Sequence, residues 1–574
     1  MTHTVQRAAG RTRRREVVGS RGARRRPGRG HAIVAIVIGV AASVAATGLQ
    51  AQGATAKRMT LGGRPPAVKT EADLRAFLDE LETQEFAINT ALGIETYYQW
   101  RGATTHRVAA TTRLANDLLN RPDYAAIVTA WRGKVMDSTL ARRLELHERA
   151  FLQAQADPRL VLALSDLQSA VQDSIEAFRY AFDGQRYTGT AIGEIVDTSS
   201  DRERRRGAFV TAPQRSAVIG ASVRRAMVLN DSIGRQEGFA NGADAGLVFS
   251  TLTRTQVLHD LDAFERATRP AYLAMLDRVR HDLHVDRVEA WDIDYWLNLQ
   301  ERGVADAYPQ AQGLTRLRDL FRALGFHADS LPIDVRVWDV PTGGITFPIR
   351  PPFEARLLTN PFTGSDFYET LFHEYGHAVN AVLLRPDLSP IFLGGDETPM
   401  GEGTAETVGH FAYDRHWLAR AAGVTPAQAV ALEAVGKEQL LLWLRRSICL
   451  NAWVEINAYA NLHGDLDGLL RESYQRFVGV ELPPGEYFGE RDMFATGPLY
   501  FQSYLYANMI ATQFRASMRE QFHVEDLSQE PRVASWLTTN VYADGGRVPW
   551  ATKVMRATGR PLTVDALVRY LTGP

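Results

Sequence analysis

The tightest constraint on this chain is a six-residue stretch, Phe372-His373-Glu374-Tyr375-Gly376-His377. Its two histidines stand four positions apart. On a helix they lie one turn apart on the same face, so both imidazoles can reach one ion. The flanking Phe367, Leu371, Phe372, Ala378, Val379 and Val382 are apolar, which predicts that the helix is buried. The chain must therefore enclose a pair of imidazoles in an apolar body. The ion this pattern suits best is Zn²⁺, which accepts neutral imidazole nitrogen and in catalytic sites keeps one position for water, lowering that water's pKa to about 7. Glu374, next to His373, is placed to take the proton of such a water. The motif alone also arises by chance in unrelated proteins, so further ligands have to be found.

Three carboxylates follow the motif: Glu397, Glu402 and Glu406. Glu397 lies in Gly394-Gly395-Asp396-Glu397-Thr398-Pro399, which reads as a loop, and Pro399 disfavours helix at the residue before it. Glu402 opens a predicted helical stretch from Gly403 to Trp417, with Glu406 one turn later. A carboxylate ligand on a helix, with a second acid at i+4 holding a ligating histidine by its free N–H, is an arrangement zinc sites use. Glu402 is thus the expected third ligand and Glu406 its supporting acid, with Glu406 and Glu397 as alternative ligands. His410 and His416, further along, read as structural or surface histidines.

The rest of the chain is patterned for helices. Leu74, Phe77, Leu78 and Leu81 recur at helical spacing, as do Leu160, Leu164 and Leu167. Strand-like runs are few: Ile333 to Trp338, closed by Pro341-Thr342-Gly343-Gly344, and Ile345 to Ile349. The expected fold is mainly α, with these two strands forming a small sheet beside the metal helix. A helical body over 70–574 follows a linker at 57–69, with a catalytic core at about 288–514.

The N-terminus carries a different signal. Residues 1–30 contain ten Arg and one Glu, and the remaining residues carry 55 basic against 65 acidic side chains. An acidic body excludes nucleic acid as a partner, since phosphate binding needs a basic surface. The Arg-rich stretch precedes an apolar run from Ala32 to Leu49 and then Ala54-Thr55-Ala56. This is the order of an export signal cleaved near Lys57. An uncleaved membrane anchor through 32–49 is the alternative, and the only route to membrane association. Cys449, the one cysteine, cannot form an intrachain disulfide and sits among Ile448, Leu450 and Trp453 as a small buried hydrophobe.

Tyr368 through Ala378 resembles the zinc helix of the thimet oligopeptidase and oligoendopeptidase F family, and Glu402 falls at that family's spacing for the third ligand. Angiotensin-converting enzyme is similar more distantly, with a ligand Glu followed four residues on by an acid, as in Glu402 and Glu406. Ala290 through Trp296, Asp334 through Val340, and the set Asn230, Arg235, Gly238, Phe239 and Asn241 resemble further segments of the family. The likeness is strong over about 288–514, patchy over 66–260 and faint at the C-terminal end. It implies a helical, two-lobed body with a deep channel, and hydrolysis of short peptides. Ser503-Tyr504-Leu505-Tyr506-Ala507 looks like the segment bearing the family's transition-state tyrosine, which assigns that role to Tyr504, with Tyr506 as the alternative and Tyr500 lining the pocket. One departure stands out: relatives carry a substrate-holding His ten to twelve residues before this tyrosine, where this chain has Asp492-Met493-Phe494. The nearby Gly-rich run is reduced to Gly497-Pro498.

The combined expectation is a zinc metallopeptidase with ligands His373, His377 and Glu402, base Glu374 and oxyanion donor Tyr504. Endopeptidase and peptidyl-dipeptidase action both remain open. The rival is a zinc-retaining peptide-binding protein that has lost turnover; the missing His favours it and the intact Glu374 opposes it. A purely structural zinc site is disfavoured, because such sites usually close with four protein ligands, often Cys.

Overall fold

A computed structural model describes residues 65 to 573, except 66, 303, 304 and 341. The Arg-rich stretch, the apolar run and most of the linker lie outside the described residues. Among the described residues, no helix is long and apolar enough to cross a membrane.

The first helix, Glu71–Trp100, starts where its sequence says it should. Thr70 and Asp73 close a reciprocal cap: the Asp73 N–H donates to Thr70 Oγ1 at 3.2 Å and the Thr70 N–H to Asp73 Oδ2 at 2.9 Å. Leu74, Phe77, Leu78 and Leu81 then pack with Leu118, Tyr124, Val128, Leu140, Leu144 and Phe151 from the next three helices, Val108–Leu119, Pro122–Ala130 and Ser138–Ala154. This is a core of its own. A second and much larger core holds the elements that carry the metal motif. The mainly α fold with a small sheet is the architecture expected from the sequence.

The sheet differs in its details. Strands β1 (Tyr180–Phe182) and β2 (Gln185–Tyr187) form an isolated hairpin, turned by Asp183 and Gly184, both at positive φ. The sheet beside the metal helix has three strands, β3 (Ile333–Val337), β4 (Gly344–Arg350) and β5 (Glu354–Thr359), in the order β3-β5-β4. The two strands read from the sequence are therefore not neighbours. β5 lies between them, parallel to β3 and antiparallel to β4. Both faces of this sheet are covered. Ala355 and Leu357 join the large core, while Ile345, Phe347, Ile349 and Leu358 pack with Tyr97 near the end of the first helix. The rings of Tyr97 and Phe347 meet edge to face at 5.5 Å.

Three helices frame the site: the metal helix (Ser365–Val382), the carboxylate helix (Thr398–Gly409) and the tyrosine helix (Phe501–Phe522). The carboxylate helix starts four residues before Glu402 and is shorter than the predicted span. Pro399 sits in its first turn, where the missing N–H costs nothing. It gives way to a 3₁₀ turn, His410–Tyr413, and ends at Asp414, whose carboxylate caps a separate helix, Arg415–Ala421, by accepting from the His416 and Trp417 N–H groups. Every residue from Pro399 to Gly409 is buried. Such burial needs small residues at the helix contacts. An ideal Cβ on Gly376 would fall 2.8 Å from the Ala405 Cα, so a glycine lets the metal and carboxylate helices approach.

Candidate metal centre

The metal helix buries Phe367, Leu371, Phe372, Tyr375, Ala378 and Val379. Burial of each large apolar side chain contributes on the order of 1.5–3 kcal/mol. That packing fixes the helix and turns His373 and His377 toward the carboxylate helix. Their Nε2 atoms lie 3.1 Å apart. Glu402 Oε2 is 3.3 Å from His373 Nε2 and 3.6 Å from His377 Nε2. One donor atom from each of the three residues falls within 4.8 Å of the others, so His373, His377 and Glu402 could hold a metal ion.

The chemistry of this donor set fits a divalent cation. Glu402 is fully buried, yet its Oε2 has no hydrogen-bond partner. A buried carboxylate oxygen left in this state is costly unless a cation or proton meets it. Its other oxygen is held: the Tyr500 hydroxyl donates to Oε1 at 2.7 Å. Burial works against the charged form of Glu402, but the two imidazoles outweigh it and hold the carboxyl well below the usual range. Conversely, burial disfavours the His373 imidazolium, while Glu402 and Glu406 together raise it well above the ordinary value. Glu406 Oε1 stands 3.5 Å from His373 Nδ1, where it can hold the N–H and leave Nε2 facing Glu402.

Glu374 points to the sheet. Thr346 on β4 donates its hydroxyl to Glu374 Oε2 at 2.7 Å, with the Glu374 carbonyl also 2.8 Å away. Gly344, on the same strand, makes room: a Cβ there would lie 2.7 Å from the Glu374 Cγ. Burial pushes the Glu374 carboxyl upward, against the pull of His377, His373 and the Thr346 hydroxyl. Thr346 was not singled out by sequence reasoning. The available signal was a lone hydroxyl inside the apolar run Ile345 to Ile349.

The tyrosines separate cleanly. Tyr504 is buried, its hydroxyl faces that of Tyr500 without forming a well-made hydrogen bond, and its ring packs edge to face on Tyr500 and Trp443 at 5.5 and 5.3 Å. Burial and the nearby Glu402 keep its phenol protonated. Tyr506 instead donates to Asp260 Oδ2 at 2.5 Å and packs on Trp550. Tyr500, expected only to line the site, touches Glu402 directly. The alternative ligand Glu397 is engaged elsewhere: Arg142 of the helix Ser138–Ala154 donates to it at 2.6 Å. His410 is buried against Asn508 at 2.9 Å and stacked on Tyr570, and His416 is half-buried on the next helix; neither joins the metal-competent group. Cys449 is buried, and burial raises its thiol pKa far above the ordinary value, as suits an inert core residue. In place of the missing upstream His, Met493 opens a short helix, Met493–Thr496, whose Phe494 is part of the core.

Solved structures with this arrangement of elements exist. PZ peptidase A, in a complex with an inhibitor, superposes with a TM-score of 0.68 at 14% identity, covering 88% of this chain and 93% of that one. The M32 carboxypeptidase from Deinococcus radiodurans R1 gives 0.61 at 16% identity, covering 87% and 98%. A putative oligoendopeptidase F gives 0.65 at 14% identity, covering 88% and 92%. The fold is that of these helical peptidases. At the sequence level, the family description Carboxypeptidase Taq (M32) metallopeptidase matches residues 493–573. No curated protein matches the sequence. At 14–16% identity the structural likeness shows the fold; it spans M32 carboxypeptidases and an oligoendopeptidase F alike and does not single out the thimet oligopeptidase or angiotensin-converting enzyme branch. The family match starts inside the stretch where the resemblance read from motifs is strong, taking in Tyr500 and Tyr504, and runs on through the C-terminal end, where that resemblance is faint.

Proposed function

We propose that this chain is a zinc-dependent metallopeptidase acting on short peptides. The observation that carries the reading is the convergence of two imidazole Nε2 atoms on a buried Glu402 oxygen that has no other partner, with Glu374 beside them. His373, His377 and Glu402 would hold the ion. When bound, zinc supplies Lewis acidity toward a water and a substrate carbonyl. Glu374, oriented by Thr346, takes the proton of the attacking water and returns it to the departing amine. Tyr504 donates its hydroxyl to the oxyanion of the tetrahedral intermediate, an interaction present only once charge develops. Glu406 orients His373, and Tyr500 steadies Glu402. No covalent link between peptide and protein is required.

The motif resemblance favours endopeptidase action on short peptides. Carboxypeptidase action is the second reading, and the match of residues 493–573 to a carboxypeptidase family favours it. A pure binding role has less support, since a binder needs no buried base with a dedicated hydroxyl donor. One experiment separates these readings: incubate the protein with mixed peptides, half of them C-terminally amidated, with and without chelator, and weigh the products. Chelator-sensitive cleavage that Glu374→Gln abolishes supports the peptidase reading. Loss of single C-terminal residues from free peptides only supports a carboxypeptidase, and internal cuts in both sets support an endopeptidase. Zinc binding without any product would leave the binding role. We also propose that the chain is exported, on the order of Arg-rich, apolar and Ala-x-Ala segments; recovery of the intact chain in membranes would favour the anchor instead.

A further inference from the structure

Tyr500 meets Glu402 from the N-terminal edge of the tyrosine helix, where it is the N-cap residue. The residue before it, Leu499, has φ of +55°, a left-handed conformation that a side chain with a Cβ adopts only when its surroundings enforce it. Those surroundings are specific. The Leu499 N–H donates to Glu455 Oε1 at 2.8 Å, and the Leu499 carbonyl accepts from Gln502 Nε2. Both holding side chains are fully buried, and each has one oxygen, Glu455 Oε2 and Gln502 Oε1, with no hydrogen-bond partner. Glu455 has no ion-pair partner among the described residues, and burial pushes its carboxyl up to about 8. The Leu499 side chain lies against Gly246, where even a methyl group would overlap it. A buried acid without a cation is a poor choice for stability alone. Here it has a distinct structural use, since it and Gln502 grip the two backbone polar groups of one strained residue, on the peptide units either side of its Cα.

We propose that Glu455 and Gln502 are positioning residues for the metal site: they lock Leu499 in its left-handed form and so deliver the Tyr500 phenol to Glu402. Released from this grip, Leu499 relaxes to an ordinary conformation, the chain entering the tyrosine helix changes direction, and Glu402 loses the donor on Oε1. Tyr504, packed edge-on against Tyr500, loses its support as well. The inference rests on the metal-site reading above but not on the identity of the substrate.

The test is zinc affinity of the full chain, measured by competition with a chromophoric chelator, beside thermal stability. Glu455→Leu should weaken zinc by about 10–100-fold, the range seen when groups that orient metal ligands are removed. Glu455→Gln keeps an oxygen that can accept the Leu499 N–H, and should stay within about threefold of wild type on the same scale. Adding Leu499→Gly to Glu455→Leu should recover much of the lost affinity, because glycine takes positive φ without being held. A merely structural role would lower stability in Glu455→Leu while leaving zinc affinity unchanged, and that result overturns the proposal. So does a Glu455→Gln protein as weak as Glu455→Leu, or a double variant with no recovery. Should Glu455→Leu fail to fold, Gln502→Leu with and without Leu499→Gly gives the same comparison from the carbonyl side. A wild-type chain that binds no zinc sinks the metal reading itself, whereas zinc-binding variants all equal to wild type sink only this inference.

Discussion

Replacing Tyr504 by phenylalanine tests the oxyanion assignment, and the structure predicts opposite effects on activity and stability. The hydroxyl is buried and lacks a well-made hydrogen bond in the resting protein. Leaving a buried donor unsatisfied costs about 1–3 kcal/mol, so its removal should not destabilise the fold. A kcal/mol moves Tm by about 2–4 °C in a 150–250-residue domain, and roughly half that in a body of this size. Tyr504→Phe should therefore melt with the wild type or about 1–6 °C above it. Activity should move the other way. Loss of one oxyanion donor lowers kcat by about 10²–10³, on the order of 3–4 kcal/mol of transition-state stabilisation. Because the donor engages only the developing charge, KM and zinc content should hold. Tyr506→Phe is the control: its hydroxyl serves Asp260, so kcat should persist while stability falls by about 1.5–3 kcal/mol, the worth of a hydrogen bond to a charged group. Steady-state kinetics and thermal melts on the two variants decide the matter. A large kcat loss in Tyr506→Phe with a silent Tyr504→Phe refutes the register. A marked drop in Tm for Tyr504→Phe refutes the claim that its hydroxyl is idle at rest.

Three further outcomes follow from the same geometry. Glu402→Ala should abolish tight zinc binding by metal analysis, while Glu397→Ala, which loses the Arg142 and Arg149 contacts, should keep zinc and lose stability; the reverse pattern would reassign the ligand. Thr346→Val keeps the shape of β4 but removes the donor to Glu374, and since hydrogen bonds to charged groups are worth about 1.5–3 kcal/mol, kcat should fall by roughly 10–100-fold, with Thr346→Ser near wild type. Zinc affinity should rise with pH, by about tenfold per unit for one displaced proton, because the carboxylates of Glu402 and Glu406 raise the His373 pKa in the metal-free protein and zinc must expel that proton. The metal-free fold has the opposite sign: its imidazolium–carboxylate contribution is complete below the unfolded-state pKa of about 6.5 and is lost as pH climbs through the raised value. A pH-independent affinity would show that His373 is neutral without metal.

Local patterns were legible because they need no partner to be read. The i, i+4 spacing of His373 and His377 and the stripe Leu74, Phe77, Leu78 and Leu81 each declare a helix from neighbours alone. β5 could not be read this way. Glu354-Ala355-Arg356-Leu357-Leu358-Thr359 is the central strand, with Ala355 and Leu357 in one core and Leu358 in the other. A strand covered on both faces loses the alternation that betrays a half-exposed one. Its Glu, Ala, Arg and Leu are also good helix formers, so propensity argued against it. Missing β5 then made β3 and β4 look like neighbours.

The site shows the same division between what a segment states alone and what only assembly creates. Glu402 and Glu406 could be nominated from spacing, and Tyr504 from resemblance. Thr346 and Tyr500 act through side-chain pairs separated by 28 and 98 residues, and nothing in either local sequence announces the partner. The same holds for the supports of the carboxylate helix. Arg142, from the N-terminal helices, grips Glu397 at its N-cap and the Gly546 carbonyl at 3.1 Å. Lys553, from near the C-terminus, forms a buried ion pair with Asp396, the preceding residue. At the other end of that helix His410 stacks on Tyr570. Both ends of the described chain thus converge on the one helix that carries Glu402 and Glu406. The segment that the family description matches, 493–573, holds Tyr500 and Tyr504 on the inner face of the site and Lys553 and Tyr570 behind it. Tyr500 touches Glu402 itself, whereas Lys553 and Tyr570 hold the two ends of its helix through Asp396 and His410, contacts that no motif centred on the histidines announces.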